Sequence, residues 1–247
     1  MKDIPGDYYR RLAEIDDRHW WVRGMIEIES ALIAPWLERE PGPLLDAGCG
    51  TGGFLAWAGC RGAFTSLSGV DLSPEAIDIA HGRVPMADLR VAPLSSLPFD
   101  GGAFDVVALN DVLQHVDESE ARASMVELRR VLASDGVLVV RTNGARRGRR
   151  ERSDWRLYEP ASLRAELERG GFDVRRLTFA NMIFSALSEL RGGRPRAPSG
   201  RASGVPASPG AVASKLGALA LSLEARVIER GGRVPWGHTL LALAVPR

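Results

Sequence analysis

The stretch that most constrains this chain is Leu44-Leu45-Asp46-Ala47-Gly48-Cys49-Gly50-Thr51-Gly52-Gly53-Phe54. Two apolar residues and an acid lead into Ala47–Gly53, where four of seven positions are glycine, and Phe54-Leu55-Ala56-Trp57 follows at once. This reads as a buried strand turning sharply into a helix. Glycine lets a backbone turn without a Cβ and approach a ligand closely. Each glycine also costs chain entropy on folding, so a turn that holds nothing rarely needs so many. The amides at the helix start then face whatever lies above the strand.

Two cofactor classes use such a turn. Gly48, Gly50 and Gly53 satisfy the dinucleotide pattern G-x-G-x-x-G, while Asp46, Gly48, Gly50 and Gly52 satisfy the D-x-G-x-G-x-G of proteins that bind S-adenosylmethionine. The glycines alone do not separate the two, but Asp46 favours the second. A carboxylate just before the glycines is badly placed for a pyrophosphate and well placed for the cationic α-amino group of a methionine moiety. Leu67-Ser68-Gly69-Val70-Asp71 reads as a second strand ending in an acid, with Asp71 placed to accept hydrogen bonds from both hydroxyls of a ribose.

The bulk numbers exclude more than they select. With 247 residues, 45% of them hydrophobic and 26% charged, the chain can bury one large core with an appendage. A net charge of +1 gives no global pull toward nucleic acid or an anionic membrane. Cys49 and Cys60, the two cysteines, make neither a disulfide framework nor a metal set. Met1-Lys2-Asp3-Ile4-Pro5-Gly6 lacks a signal-peptide core and no apolar run is long enough to span a bilayer, so a cytoplasmic location is expected.

Residues 7–38 carry Tyr8, Leu12 and Ile15, then His19-Trp20-Trp21, then Ile26, Ala31 and Ile33, which predicts two helices joined at the tryptophans. Their roles are packing on the sheet edge or a mobile aromatic lid, in which His19 and Trp20 would face the substrate and Arg23 would reach a cofactor carboxylate. Ser73 and Pro74 start a helix after the second strand. Asp88–Ala92 and Ala103–Asn110 read as strands, Asp117 with Glu120 as a capping box, and Asp135-Gly136 as a turn into Val137–Val140. Such alternation of strands and helices means a parallel sheet covered on both faces.

Residues 44–142 resemble the class I S-adenosylmethionine-dependent methyltransferases, in their small-molecule branch. The resemblance is carried by Leu45–Gly52, by Leu97-Pro98-Phe99 followed by Phe104-Asp105-Val106-Val107, and by Leu128-Arg129-Arg130-Val131-Leu132 before Gly136. It implies a Rossmann-like α/β fold of seven strands, mostly parallel, with helices on both faces and the last strand antiparallel. It also implies S-adenosylmethionine as cofactor and S-adenosylhomocysteine as product. The expected cofactor residues are Asp46, Ala47, Gly48, Gly50, Gly52, Asp71, Leu72, Leu94 and Asn110. Relatives often carry an acid at the position of Pro93, so adenine is expected to be held by the backbone at Leu94 and by apolar packing.

His115 lies just past the fourth strand, over the sulfonium in that architecture. Its ordinary pKa suits a general base for a hydroxyl or phenol acceptor, with Asp111 orienting it if the segment is helical. A histidine packed beside the cofactor is the other reading. Some relatives bind magnesium here through E-x-x-E-H; with Asp111 and Gln114 at the acidic positions, no metal is expected. His238 is a weaker candidate.

The rest of the chain divides by composition. Arg146 to Arg152 is basic and without interleaved aromatics, a solvated loop rather than a phosphate site. Pro160 starts a helix and Phe172–Leu177 a strand, while Arg191–Gly210 is rich in Gly, Pro, Ser and Arg and reads as a flexible loop. Val212, Leu216, Leu219, Leu223 and Val227 mark a helix, and Thr239–Val245 the final strand. The expected organisation is a helical lid (1–40), a cofactor-binding core (41–180), an insertion forming a substrate-side cap or a dimer surface (181–234), and a last core strand (235–247). The favoured function is methyl transfer to a small molecule of specialised or saccharide metabolism, with no membrane or nucleic-acid partner. The alternatives are a nucleic-acid methyltransferase, which the lack of an Asn-Pro-Pro-aromatic pattern after strand four disfavours, and a protein that binds the cofactor for other chemistry.

Overall fold

A computed structural model describes residues 8–16, 19–39, 42–145, 156–190 and 210–247. In chain order the elements are α1 (Tyr8–Asp16), α2 (Trp20–Leu37), β1 (Leu44–Ala47), α3 (Gly53–Arg61), β2 (Leu67–Asp71), α4 (Pro74–Arg83), β3 (Asp88–Val91), β4 (Phe104–Asn110), α5 (Glu118–Val131), β5 (Leu132–Asn143), α6 (Pro160–Arg169), β6 (Phe172–Ala180), α7 (Met182–Leu190), α8 (Ala211–Glu229) and β7 (Thr239–Pro246). The seven strands form one sheet in the order β3-β2-β1-β4-β5-β7-β6, parallel except that β7 runs against both of its neighbours. This is the expected Rossmann-like arrangement.

Near-continuous apolar strands make sense because both faces are covered. Successive residues alternate between two cores. Leu44, Val106, Ala108, Val137, Val139, Leu241 and Leu243 pack beneath α2, α3, α4 and α8. Leu45, Val107, Leu109, Leu138, Val140 and Leu240 pack on α5 and α6. Local chemistry starts the helices: Ser73 Oγ accepts from Ala76 N at 3.2 Å, and Asp117 Oδ1 from Glu120 N at 2.9 Å. His19 caps α2, its Nδ1 accepting from Trp21 N at 3.3 Å.

Three features go beyond the expectations. Of the two readings of residues 7–38, packing and a lid, helix α2 shows packing deeper than a sheet edge: Met25, Ile28, Leu32 and Ile33 are fully buried and Gly24 is so close to Leu221 of α8 that a Cβ there would sit 2.4 Å from its Cδ1. The turn at Asp135-Gly136 lies inside β5: Leu132 pairs with Phe104 and Val137 with Val106, so Ala133–Gly136 bulge opposite Asp105. Helix α7, unpredicted as an element, starts because Glu224 of α8 accepts from the backbone N–H groups of Asn181 and Met182 at 2.8 and 2.9 Å. The basic stretch and the Gly/Pro/Ser-rich stretch lie almost entirely outside the described residues.

Candidate active site

The pairings Asn110↔Arg141, Asn143↔Thr239 and Ala180↔Thr239 bring the ends of β4, β5 and β6 and the start of β7 to one edge of the sheet, where β1 and β2 also end. The glycine turn leaves β1 there. Gly48 and Cys49 donate to the carbonyl of Val70 at 2.8 and 2.9 Å, fastening the turn to β2. Gly48, Gly50 and Gly52 have φ of 85°, 51° and 77°, the left-handed region that disfavours side chains. A Cβ on Gly48 would sit 2.3 Å from Val112 Cγ2, whereas one on Gly50 would meet nothing within 4 Å among the described residues. The turn is therefore closed on the β4 side and open at Gly50.

Two carboxylates flank it. Asp46 is 2% exposed at the end of β1. Asp71 accepts from Gly50 N through Oδ2 and from Ser73 N through Oδ1, both at 2.9 Å, so it ties the turn to the start of α4 while standing at the edge. Burial pushes the Asp71 carboxyl above its ordinary range, against the backbone donors of Ser73, Gly50 and Leu72. Leu72 beside it presents an exposed apolar side chain, and Leu94 is buried in the loop after β3. Burial, with Asp46 and Asp71 adding to it, pushes the Cys49 thiol up, which disfavours the thiolate.

A buried charge cluster, absent from the sequence expectation, completes the edge. Arg141 Nη1 lies 3.0 Å from Glu29 Oε2, and its Nη2 lies 2.8 Å from Asp111 Oδ2. Glu29, on α2, is 0% exposed. Burial pushes its carboxyl up to about 7, against Arg141 and the nearby Asn110 amide and with Asp111 adding to the rise. Burial also opposes the charge on Arg141, but Asp111 and Glu29 outweigh it and its pKa goes up, with Asp46 contributing. Glu29 Oε1 and both amide atoms of Asn110 are buried, and among the described residues none of them has a partner in good hydrogen-bond geometry. With three carboxyl groups around one guanidinium, this end of the cleft favours a cationic ligand group.

The structure brings Asp46, Ala47, Gly48, Gly50, Gly52, Asp71, Leu72 and Asn110 to this edge together. Asp111 and His115 lie in a turn rather than a helix. Asp111 has φ 56°, its N–H donates to Arg141 O at 2.9 Å, and its carboxylate is held by Arg141. His115 is exposed as a residue, and partial burial of its ring lowers its pKa despite the Asp111 charge, which favours the neutral imidazole. His19 and Trp20 sit at the start of α2, with Trp20 4.7 Å from the Phe184 ring of α7. Trp21 Nε1 donates to Asn181 Oδ1 at 3.1 Å, and Asn181 Nδ2 to Thr239 Oγ1 at 2.7 Å, fixing α2 against β6 and β7. His238 Nδ1 lies 2.8 Å from the Oγ of buried Ser185.

The missed residues left a trace in the sequence. Glu29 falls four residues after Met25 and four before Ile33 in an apolar run, and Arg141 follows Val137–Val140 directly. Charges embedded on apolar faces are buried only when paired.

Comparison with known proteins agrees with this geometry. The family model for a methyltransferase domain matches residues 45–140. Over 108 residues the chain is 34% identical to the ubiquinone/menaquinone biosynthesis C-methyltransferase UbiE of Citrifermentans bemidjiense, covering 40% of this chain and 44% of that protein. It is 32% identical over 102 residues to a malonyl-[acyl-carrier protein] O-methyltransferase of Serratia marcescens, covering 41% and 38%. The matches thus span less than half the length of either relative. Among solved structures, a TehB-like SAM-dependent methyltransferase from Corynebacterium glutamicum shares the fold, with a TM-score of 0.59 at 18% identity over 97% of this chain and 94% of that one. Residues 45–140 thus match a methyltransferase domain, and the seven-stranded sheet that contains them has the fold of the solved S-adenosylmethionine-dependent methyltransferase.

Proposed function

We propose that this chain binds S-adenosylmethionine across the edge described and transfers its methyl group to an O, N or C atom of a small molecule of specialised or saccharide metabolism. The observation that carries the reading is the glycine turn open at Gly50 between two carboxylates, Asp46 and Asp71. The residues fit the cofactor: the Asn110 amide is buried at the edge with no well-aligned partner among the described residues, and Gly50 leaves open space beside the turn. Asp46, Ala47, Gly48 and Asn110 hold the methionyl end, Asp71 the ribose, and Leu72 with Leu94 the adenine. The cofactor, when bound, supplies an electrophilic methyl group on sulfur.

The chain's own contribution is orientation and charge. The carboxylates around Arg141 stabilise the cationic end. His115, whose neutral form burial favours, takes the proton of a hydroxyl acceptor. His19 and Trp20 line the acceptor side, and α1 serves as the cover. Arg10 Nε is 3.3 Å from Glu75 Oε1 on α4, an exposed pair of the weak kind that a movable segment needs. The named relatives act on C and O atoms of small or carrier-bound molecules, which supports the substrate class without choosing within it.

The test is incubation of the purified protein with methyl-labelled cofactor and separate pools of small metabolites and RNA. Label in a small molecule, with equimolar S-adenosylhomocysteine, supports the reading. Label in RNA, or turnover of a small molecule without S-adenosylhomocysteine, overturns it.

A further inference from the structure

Helix α8 has two faces of opposite use. Gly217, Ala220, Leu221, Glu224, Ala225 and Ile228 are buried, largely against α2. On the other side Val212, Leu216, Leu219, Leu223 and Val227, the residues whose periodicity marks the helix, are 45–74% exposed. Side chains spaced by four, three, four and four residues form one stripe along a helix of 19 residues, about 28 Å long. A continuous apolar stripe of that length is unusual on a surface with no partner.

Among the described residues the stripe is left uncovered. Of the longer stretches outside the described residues, 1–7 holds Met1 and Ile4, 146–155 holds Trp155, and 191–209 holds Val205 alone among large apolar types. None carries a repeat that matches the stripe.

The pattern instead complements itself. In heptad terms Leu216 and Leu223 take one seam position and Val212, Leu219 and Arg226 the other. If two α8 helices run antiparallel about a two-fold axis near Leu221, Leu219 of each faces Leu223 of the other, and Leu216 faces the aliphatic stem of Arg226. On the flank of the same seam Lys215 and Glu229 are equidistant from Ser222, so the lysine of each copy meets the glutamate of the other, twice by symmetry. A two-fold interface demands this relation, residue i opposite j and j opposite i.

We propose that the exposed face of α8 is the interface of a homodimer, formed by antiparallel pairing of α8 with α8 of a second copy. The doubled stripe with its flanking charges reaches on the order of 1,000 Å², the lower bound of a specific interface. It follows from α8 alone and does not depend on the catalytic reading.

Sedimentation velocity of the full chain from 1 to 200 μM tests it. The expected species is twice 26.7 kDa at the upper concentrations. Leu219→Glu, a change at an exposed position, should return it to a monomer with an unchanged circular dichroism spectrum. Lys215→Glu or Glu229→Lys alone should weaken association at least tenfold, and the two together should restore it. A wild-type monomer throughout the range, a dimer indifferent to Leu219→Glu, or failure of the double charge exchange to restore association would each overturn the proposal. Flotation of monomeric wild-type protein with anionic phospholipid vesicles, lost in Leu219→Glu, would also overturn it and assign the stripe to a membrane surface.

Discussion

Glu29 is the most informative residue to change, because its protonation is linked to folding. The carboxyl is fully buried and its pKa is pushed up to about 7 by that burial, from an ordinary value of 4.5. A raised acid holds its proton in the folded chain at pH values where the unfolded chain has released it. The stability it contributes is therefore complete below pH 4.5 and lost as pH rises through about 7. At about 1.4 kcal/mol per pH unit, the loss between pH 5 and 8 is about 2–3 kcal/mol. Glu29→Gln keeps the shape and an acceptor for Arg141 but carries no charge at any pH. Relative to wild type, the variant should gain about 2–3 kcal/mol on moving from pH 5 to pH 8, a shift of roughly 4–12 °C in Tm. Urea titrations of both proteins at the two pH values measure it, with equal m-values as the control. A stability gap that stays constant within about 0.5 kcal/mol would refute the reasoning, because Glu29 would then titrate alike in both states.

Other predictions concern the same edge. Arg141→Met leaves Glu29 buried without its cation and should cost about 3–5 kcal/mol in urea titration, while adding Glu29→Leu should recover most of the loss; equal costs for the single and double variants would count against the pair. His115→Ala should lower turnover of a hydroxyl acceptor by about 10²–10⁴ and remove the acid limb of the rate profile, which burial of the ring places on the acid side of an ordinary histidine's. A rate within about threefold of wild type at all pH values would remove His115 as a base. Cofactor should slow proteolysis within α1 while leaving α2 resistant throughout; equal cleavage of α1 with and without cofactor would discard its role as a cover.

Much of the fold was legible because the signals are local. Asp117 and Ser73 cap the helices they were expected to cap, and the glycine turn sits between β1 and α3 as its composition requires. What escaped depends on distant partners. Glu29 and Arg141 are 112 residues apart, and Asn181 joins Trp21 to Thr239 across the whole chain. The capping of α7 comes from Glu224, 42 residues past Met182. Apolar periodicity located α2 but not its depth, since an edge helix and a core helix share the 3.6-residue repeat. In α8 the repeat marked the outward face, because Gly217, Ala220 and Ala225 let the inward face approach α2 closely.

Isothermal titration calorimetry with S-adenosylhomocysteine, on wild type and on Asp71→Asn, tests the central claim most directly. Saturable one-to-one binding by wild type, weakened at least tenfold in the variant, with no heat from a nicotinamide dinucleotide, is the predicted result. Tight dinucleotide binding with no heat from S-adenosylhomocysteine would contradict the account.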